Sequence, residues 1–369
     1  MTLPISTPRL QPAVPPRAYQ APAAPVAGAP APAPAPAPLA MPAGGLLGFV
    51  QEAVRRFDAF DKAFTARLKD LVFAPYRALA GKYGVAHFVR PNAGANEGQP
   101  PSAYGLPNYE TLSFKAKDGT PLKGWYIPAT APTDKTIVLA HGHGGNMTDV
   151  LYRWGPFLHK AGYNVMAFDF RNHGGSGGDK TTMGLAERQD LDAALGQVQA
   201  KGGQRIAVMG LSMGGATAIN QAADDPRIQA IIADCTFDTI SNAVASRVAR
   251  NTFDLGPFKG LPIPFQDQVT QGVVEASERL TGHTPDSPSG ALRAANPVDA
   301  IKKLQDRPVF LIHGKDDDET LATNSVNLAK ANPKADLWIV PGAKHGESYK
   351  TDKETYKAKV LSFLSRALP

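Results

Sequence analysis

Residues 205–223 constrain this chain more tightly than any other stretch of its 369 residues. The apolar run Arg205-Ile-Ala-Val-Met209 enters Gly210-Leu-Ser-Met-Gly-Gly215, and Ala216-Thr-Ala-Ile-Asn-Gln-Ala-Ala223 then reads as a helix. The pattern is strand, sharp turn, helix, with a serine at the bend. Only small neighbours leave room for such a bend, which accounts for Gly210 and Gly214 on either side of Ser212. The bend lifts the serine hydroxyl above a parallel sheet.

The surrounding sequence supplies that sheet. Apolar strand patterns at 136–140, 163–169, 228–233, 308–312 and 337–340 alternate with helical patterns near 149–161, 184–200 and 213–223. Such alternation implies right-handed crossovers, hence an α/β fold with a mainly parallel sheet and helices on both faces. Ahead of it, Tyr109–Ala116, Asp118-Gly119 and Leu122–Ile127 form a hairpin pattern that predicts an antiparallel edge. The rhythm breaks at Thr236 and resumes near Asn296. The interval of about 236–295 is too long for a simple loop. It holds a helical stretch after Asp238 and another at Val269–Leu280, with Phe253, Phe258, Leu261 and Phe265 in a Pro/Gly-rich turn region between them.

A serine hydroxyl is a weak nucleophile at neutral pH, so it needs a base, an orienting carboxylate and donors for an oxyanion. Each has a candidate at a strand end. Strand 308–312 runs into His313-Gly-Lys-Asp-Asp-Asp318, and strand 337–340 opens into Pro341-Gly-Ala-Lys-His-Gly346, which puts His345 on the following loop. Strand 136–140 ends in His141-Gly-His-Gly-Gly-Asn146, whose glycines let amides face a developing charge. The expected oxyanion donors are the amide of Met213, next to the nucleophile, and an amide near His143. His141 and His143 also have the spacing of a metal pair, but no cluster of ligand spacing follows them. His141, His313 and His173 are read as loop braces; His87, His159 and His283 as ordinary surface or packing residues. Asp169 precedes the nucleophile in sequence and is expected to hold its own turn.

Together these residues resemble the α/β-hydrolase superfamily, and in wording its single-domain serine hydrolases with a His-Gly-x-Gly-Gly-Asn oxyanion loop. Gly124-Trp-Tyr-Ile-Pro128, Phe168-Asp-Phe-Arg-Asn-His-Gly-Gly-Ser176 and Ile232-Ala-Asp-Cys-Thr-Phe237 extend the likeness over about Tyr104 to Leu368. The resemblance implies the triad order Ser, Asp, His, with Ser212 as nucleophile and His345 as base. It places the acid four residues after His313, at Asp317, with Asp316 and Asp318 as alternatives one position away. It also implies that the 236–295 insertion forms a lid, against which stands the reading of extra packing helices at the domain edge. The chain departs from many relatives in carrying Glu319-Thr-Leu where a hydrophobic residue and proline follow the acid.

Composition sets the remaining bounds. With 43% hydrophobic residues the chain can build a full core, and its single cysteine, Cys235, excludes an internal disulfide. A reducing, cytoplasmic setting is the expectation, with Cys235 a packed thiol. The formal charge of +6 is spread among acids and no nucleic-acid motif accompanies it, so no nucleic-acid partner is expected. Residues 1–45 are rich in Ala-Pro repeats and read as a disordered, extended tether that lacks the apolar core of a secretory signal. Residues 46–103 hold an amphipathic helix, to about residue 80, and a linker; 104–369 form the catalytic domain. The helix face fits either a protein surface or a membrane surface, and its mixed charges favour the protein.

The expected activity is hydrolysis of a small carboxylic ester with an apolar acyl or aryl group, without cofactor or metal. The alternatives are a peptidase or thioesterase on the same residues, or a scaffold that keeps the fold without turnover. A metal-dependent hydrolase would rest on His141 and His143 alone. The oligomeric state is left open.

Overall fold

The structure is a computed structural model that describes residues 98–369, except 251, 256–257, 263–265 and 281–295. The Pro/Ala tether and the amphipathic helix expected at 46–80 lie outside the described residues.

Strands β1 (Glu110–Lys115) and β2 (Pro121–Ile127) form the expected hairpin, closed at Gly119 with φ +88°. The chain continues through β3 (Lys135–Ala140), α1 (Met147–Lys160), β4 (Asn164–Phe168), α2 (Glu187–Ala200), β5 (Arg205–Leu211), α3 (Met213–Ala222) and β6 (Ile228–Asp234). An insertion follows: α4 (Ile240–Arg250), β7 (Thr252–Leu255), β8 (Phe258–Pro262) and α5 (Gln266–Leu280). The turn of helix α6 (Pro297–Ala300) leads to β9 (Val309–Gly314), α7 (Thr323–Ala331), β10 (Asp336–Val340), α8 (Ser348–Thr351) and α9 (Lys353–Ala367).

Eight strands make one sheet in the order β1-β2-β4-β3-β5-β6-β9-β10, antiparallel at the β1/β2 and β2/β4 pairs and parallel beyond. The fold is therefore the mainly parallel α/β sheet that the alternation predicts. Its central strands are apolar throughout because both faces are covered. In β3, Val138 and Ala140 face the core shared with α2, α3 and α7, whereas Ile137 and Leu139 face the core shared with α1 and α9. The same period of two sorts Val208 from Met209 in β5 and Leu311 from Ile312 in β9.

The insertion corrects one expectation. The region read as turns around Phe253 and Phe258 forms a two-stranded antiparallel sheet, with Phe253 opposite Leu261 and Leu255 opposite Phe258. Alternating Thr252-Phe-Asp-Leu255 outweighs the nearby Pro and Gly, and Gly260 and Pro262 fall within β8 itself. Helices α4 and α5 bury Ile240, Val244, Val248, Val269 and Val273 in the core on the α3 side. No helix among the described residues is long and apolar enough to cross a membrane.

Strand order reverses between β3 and β5, and in open α/β sheets ligands bind at the carboxyl ends of strands flanking such a point. Ser212 and the 141–146 loop lie at those ends, and Asp317 and His345 follow β9 and β10 farther along the same sheet.

Candidate active site

The turn at Ser212 is a strained element of the candidate site. Ser212 joins β5 to α3 with φ 50° and ψ −113°, a left-handed conformation that costs a non-glycine residue about 1–3 kcal/mol. Its neighbours hold it there. Its amide donates to the Asp234 carbonyl at 2.8 Å, and its carbonyl accepts from Ala216 N–H at 3.1 Å and from Thr236 Oγ1 at 3.2 Å. A Cβ on Gly214 would collide with the carbonyl oxygens of Ala140 and His141, and one on Gly210 with the backbone of Gly214 and Gly215. Both glycines therefore let the α3 backbone sit against the ends of β3 and β5.

The loop after β3 runs beside the serine, since a Cβ on Gly142 would stand 3.5 Å from Ser212 Cβ. Two imidazoles brace it. His141 is fully buried, with Nδ1 at 2.7 Å from the Gly142 carbonyl and Nε2 accepting Phe170 N–H at 3.0 Å. His173 places Nδ1 2.7 Å from the Arg171 carbonyl and accepts Gly144 N–H on Nε2 at 3.1 Å. In each ring Nε2 is an acceptor, so Nδ1 carries the proton and both rings are neutral. Burial, the largest influence, pushes both below the usual imidazole range. With both nitrogens of His141 engaged, the His141/His143 pair offers no metal-ligand geometry. Asn146 caps α1, accepting from Thr148 and Asp149 amides while Asp149 accepts the Asn146 amide at 3.0 Å. Asp169 holds its own turn and α1, accepting Gly175 N–H at 2.8 Å and Met147 N–H at 2.7 Å.

Of the expected oxyanion donors, Met213 is the first residue of α3, where amides have no partner within the helix. His143 is half-buried in the loop after β3. In the same loop Gly144 donates to His173, and Gly145 to the Gly142 carbonyl at 3.1 Å.

Asp317 and His345, the expected acid and base, follow β9 and β10. Asp317 Oδ2 lies 2.8 Å from His345 Nδ1 and 3.2 Å from His313 Nε2, while Oδ1 accepts the amides of Glu319 at 2.9 Å and Thr320 at 2.8 Å. Burial alone would raise the Asp317 carboxyl; the donors from His313, His345 and Thr320 outweigh it and hold it well below the usual carboxylate range. Asp316 and Asp318 are exposed. The Asp316 amide is tied to the Ala343 carbonyl at 2.9 Å, and Asp318 faces Arg250 at 3.8 Å. Arg250, at the end of α4, also pairs with Glu319 at 3.0 Å, so the insertion borders the acid loop.

His345 is half-buried on a loop clasped from several sides. Arg153 of α1 donates to the Gly346 carbonyl at 2.8 Å, and Lys315 N–H to the Val340 carbonyl at 2.8 Å. Burial works against the imidazolium, yet the Cys235 sulfur and the Asp317 carboxylate beside the ring raise it above its ordinary range. Burial pushes the Cys235 thiol up, and the neighbouring His345 pulls it back.

Sequence reasoning missed the environment of Cys235. It is fully buried at the end of β6 with φ 48°, and its sulfur stands 3.9 Å from His345 Nε2. No hydrogen bond joins that nitrogen to Ser212 Oγ among the described residues. Cys235, Asp317 and His345 bring three metal-ligand atoms within 4.8 Å. The Asp317 oxygen is spent on Nδ1, however, on the far side of the ring from the sulfur, so the three do not converge on one point. His313 was read as a brace, but not as a donor to the acid; its position four residues before Asp317 is the only sequence signal for that contact.

Residues 137–354 match the model of the alpha/beta hydrolase family. The chain is 32% identical over 252 residues to the Bacillus subtilis protein YqkD, covering 67% of this chain and 76% of that one. It is 28% identical over 273 residues to Escherichia coli YfhR, covering 70% and 81%. Among solved structures, the esterase Pf2001 of Pyrococcus furiosus is similar with a TM-score of 0.60 and 26% identity, over 76% of this chain and 100% of that one.

Proposed function

The chain belongs to the alpha/beta hydrolase family, and from that premise we propose that it is a serine hydrolase of carboxylic esters, with Ser212 as nucleophile, His345 as base and Asp317 as the orienting acid. The observation that carries this reading is the 2.8 Å contact of Asp317 with His345 Nδ1, which leaves Nε2 on the ring edge away from the carboxylate. A proton on Nδ1 makes Nε2 the accepting nitrogen.

In the reaction Ser212 Oγ attacks the ester carbonyl as its proton passes to His345 Nε2. The resulting imidazolium is held by Asp317, and the oxyanion by the amides of Met213 and His143. Collapse expels the alcohol, which takes the proton from Nε2. Water then attacks the acyl carbon as it gives a proton to Nε2; the second collapse breaks the bond to Ser212 Oγ, which takes that proton back, and the acid leaves. The resting contact of Nε2 with Cys235 has to yield to one with Ser212, as catalytic hydrogen bonds often tighten only with substrate bound. Ester cleavage asks less of leaving-group protonation than amide cleavage. The similarity to Pf2001, named as an esterase, supports the same choice. Aromatic and aliphatic residues of the insertion favour an apolar acyl or aryl group.

The test is turnover of p-nitrophenyl esters of increasing chain length by the wild type and by Ser212→Ala. Turnover by the wild type that Ser212→Ala abolishes supports the reading, and the preferred chain length sizes the pocket. Equal turnover by both proteins refutes it.

A further inference from the structure

The end of β6 supplies no group to the chemistry above, yet it touches both halves of the site. Asp234, its last residue, is fully buried. Its carbonyl accepts the Ser212 amide at 2.8 Å. Its carboxylate accepts the Ser348 hydroxyl on Oδ1 at 3.0 Å and the Tyr356 hydroxyl on Oδ2 at 2.9 Å. Ser348 is buried three positions beyond His345, at the start of α8; Tyr356 is buried in α9. The next two residues continue the pattern, with Cys235 against His345 Nε2 and Thr236 Oγ1 donating to the Ser212 carbonyl.

A carboxylate at this depth is costly. Burial pushes Asp234 upward, the two hydroxyls pull it back, and no Lys or Arg forms an ion pair with it among the described residues. A well-packed apolar residue at the end of a buried strand carries no such cost. The contact that distinguishes Asp234 is its span: one residue binds the nucleophile through its backbone and the base loop through its side chain.

Resting on the serine-hydrolase reading, we propose that Asp234 is a positioning residue that keeps Ser212 and His345 in register, the carbonyl setting the nucleophile and the carboxylate, through Ser348, setting the base loop. It takes no part in proton transfer.

Ser348→Ala and Tyr356→Phe separate positioning from plain stability, because each removes one hydroxyl from the same carboxylate and only Ser348 belongs to the base loop. The readouts are kcat and KM on a p-nitrophenyl ester, and the downfield proton resonance of His345 Nδ1–H held to Asp317. Ser348→Ala is expected to lower kcat on the order of 10–100-fold, as a small misplacement of a catalytic group does, with KM unchanged and the resonance shifted or lost. Ser348→Thr, which keeps the hydroxyl, restores both. Tyr356→Phe lowers the melting temperature and keeps both. Wild-type kcat and an unchanged resonance in Ser348→Ala overturn the proposal, as does an equal loss in Tyr356→Phe. A wild type inert on esters sinks the hydrolase reading instead, and the resonance, which needs no turnover, still decides the positioning.

Discussion

Nδ1 of His345 lies 2.8 Å from Oδ2 of Asp317, on a carboxylate whose other oxygen is already taken by the amides of Glu319 and Thr320. Asp317 is thus rigid and charged, and its two aspartate neighbours are exposed. Asp317→Asn is expected to lower kcat/KM by about 10⁴-fold, because an amide can hold the wrong tautomer of the base. Asp316→Asn and Asp318→Asn, both at exposed positions, should leave it near the wild-type value. Steady-state kinetics on one activated ester compares the three.

The same contact fixes a pH dependence. His345 is raised above the usual imidazole range, and the imidazolium cannot accept the serine proton. Activity therefore rises with pH through the folded-state pKa, and the acid limb of kcat/KM should centre above the ~6.5 of free imidazole. For stability the sign is opposite: the raised base contributes below its unfolded pKa and loses that contribution as pH rises through the folded one. Asp317, held low, contributes above its unfolded pKa and loses it as pH falls. A kcat/KM profile with its limb at or below the free imidazole value would contradict this assignment.

Arg171, just after β4, joins two carboxylates in a charge cluster with a different kind of consequence. Arg171 reaches Asp190 through Nη2 at 2.7 Å and Nε at 3.1 Å, and Asp118 through Nη1 at 2.7 Å. Burial pushes Asp190 up to about 6 even with Arg171 beside it. Removing the guanidinium strands a buried carboxylate, so Arg171→Ala should cost about 3–5 kcal/mol in urea unfolding. Arg366→Ala breaks the exposed pair with Asp336 and should cost under about 1 kcal/mol.

Glycine substitutions distinguish crowding from conformational freedom. Gly214→Ala forces a methyl group into the carbonyls of Ala140 and His141 and should cost roughly 1–3 kcal/mol or more, with loss of activity. Gly196 lies within α2 with open space around its Cβ position, so Gly196→Ala should add about 1 kcal/mol. Thermal unfolding of the two variants reads both signs.

Much of this architecture is visible in one dimension because parallel strands are continuous apolar runs and their turns carry glycine. Ser212 could be placed at a bend from Gly210 and Gly214 alone. The choice of Asp317 among three aspartates rests on the resemblance and stays open by one position, since it depends on which backbone is tied to the loop of His345: the Asp316 amide to Ala343, the Lys315 amide to Val340. Contacts between strand ends are equally silent. Asp234 and Ser348 are 114 positions apart and Cys235 and His345 110, and they meet only because the parallel sheet gathers all its carboxyl ends on one side. The β7/β8 pair was hidden for another reason, in that Pro and Gly around a short hairpin resemble those of an irregular loop.

The most direct test of the central claim is the intact mass of the protein after exposure to a fluorophosphonate. The account predicts a single phosphonyl adduct on the wild type, mapped to the peptide containing Ser212, and none on Ser212→Ala. An adduct that survives in Ser212→Ala, or one mapped to another residue, would contradict it.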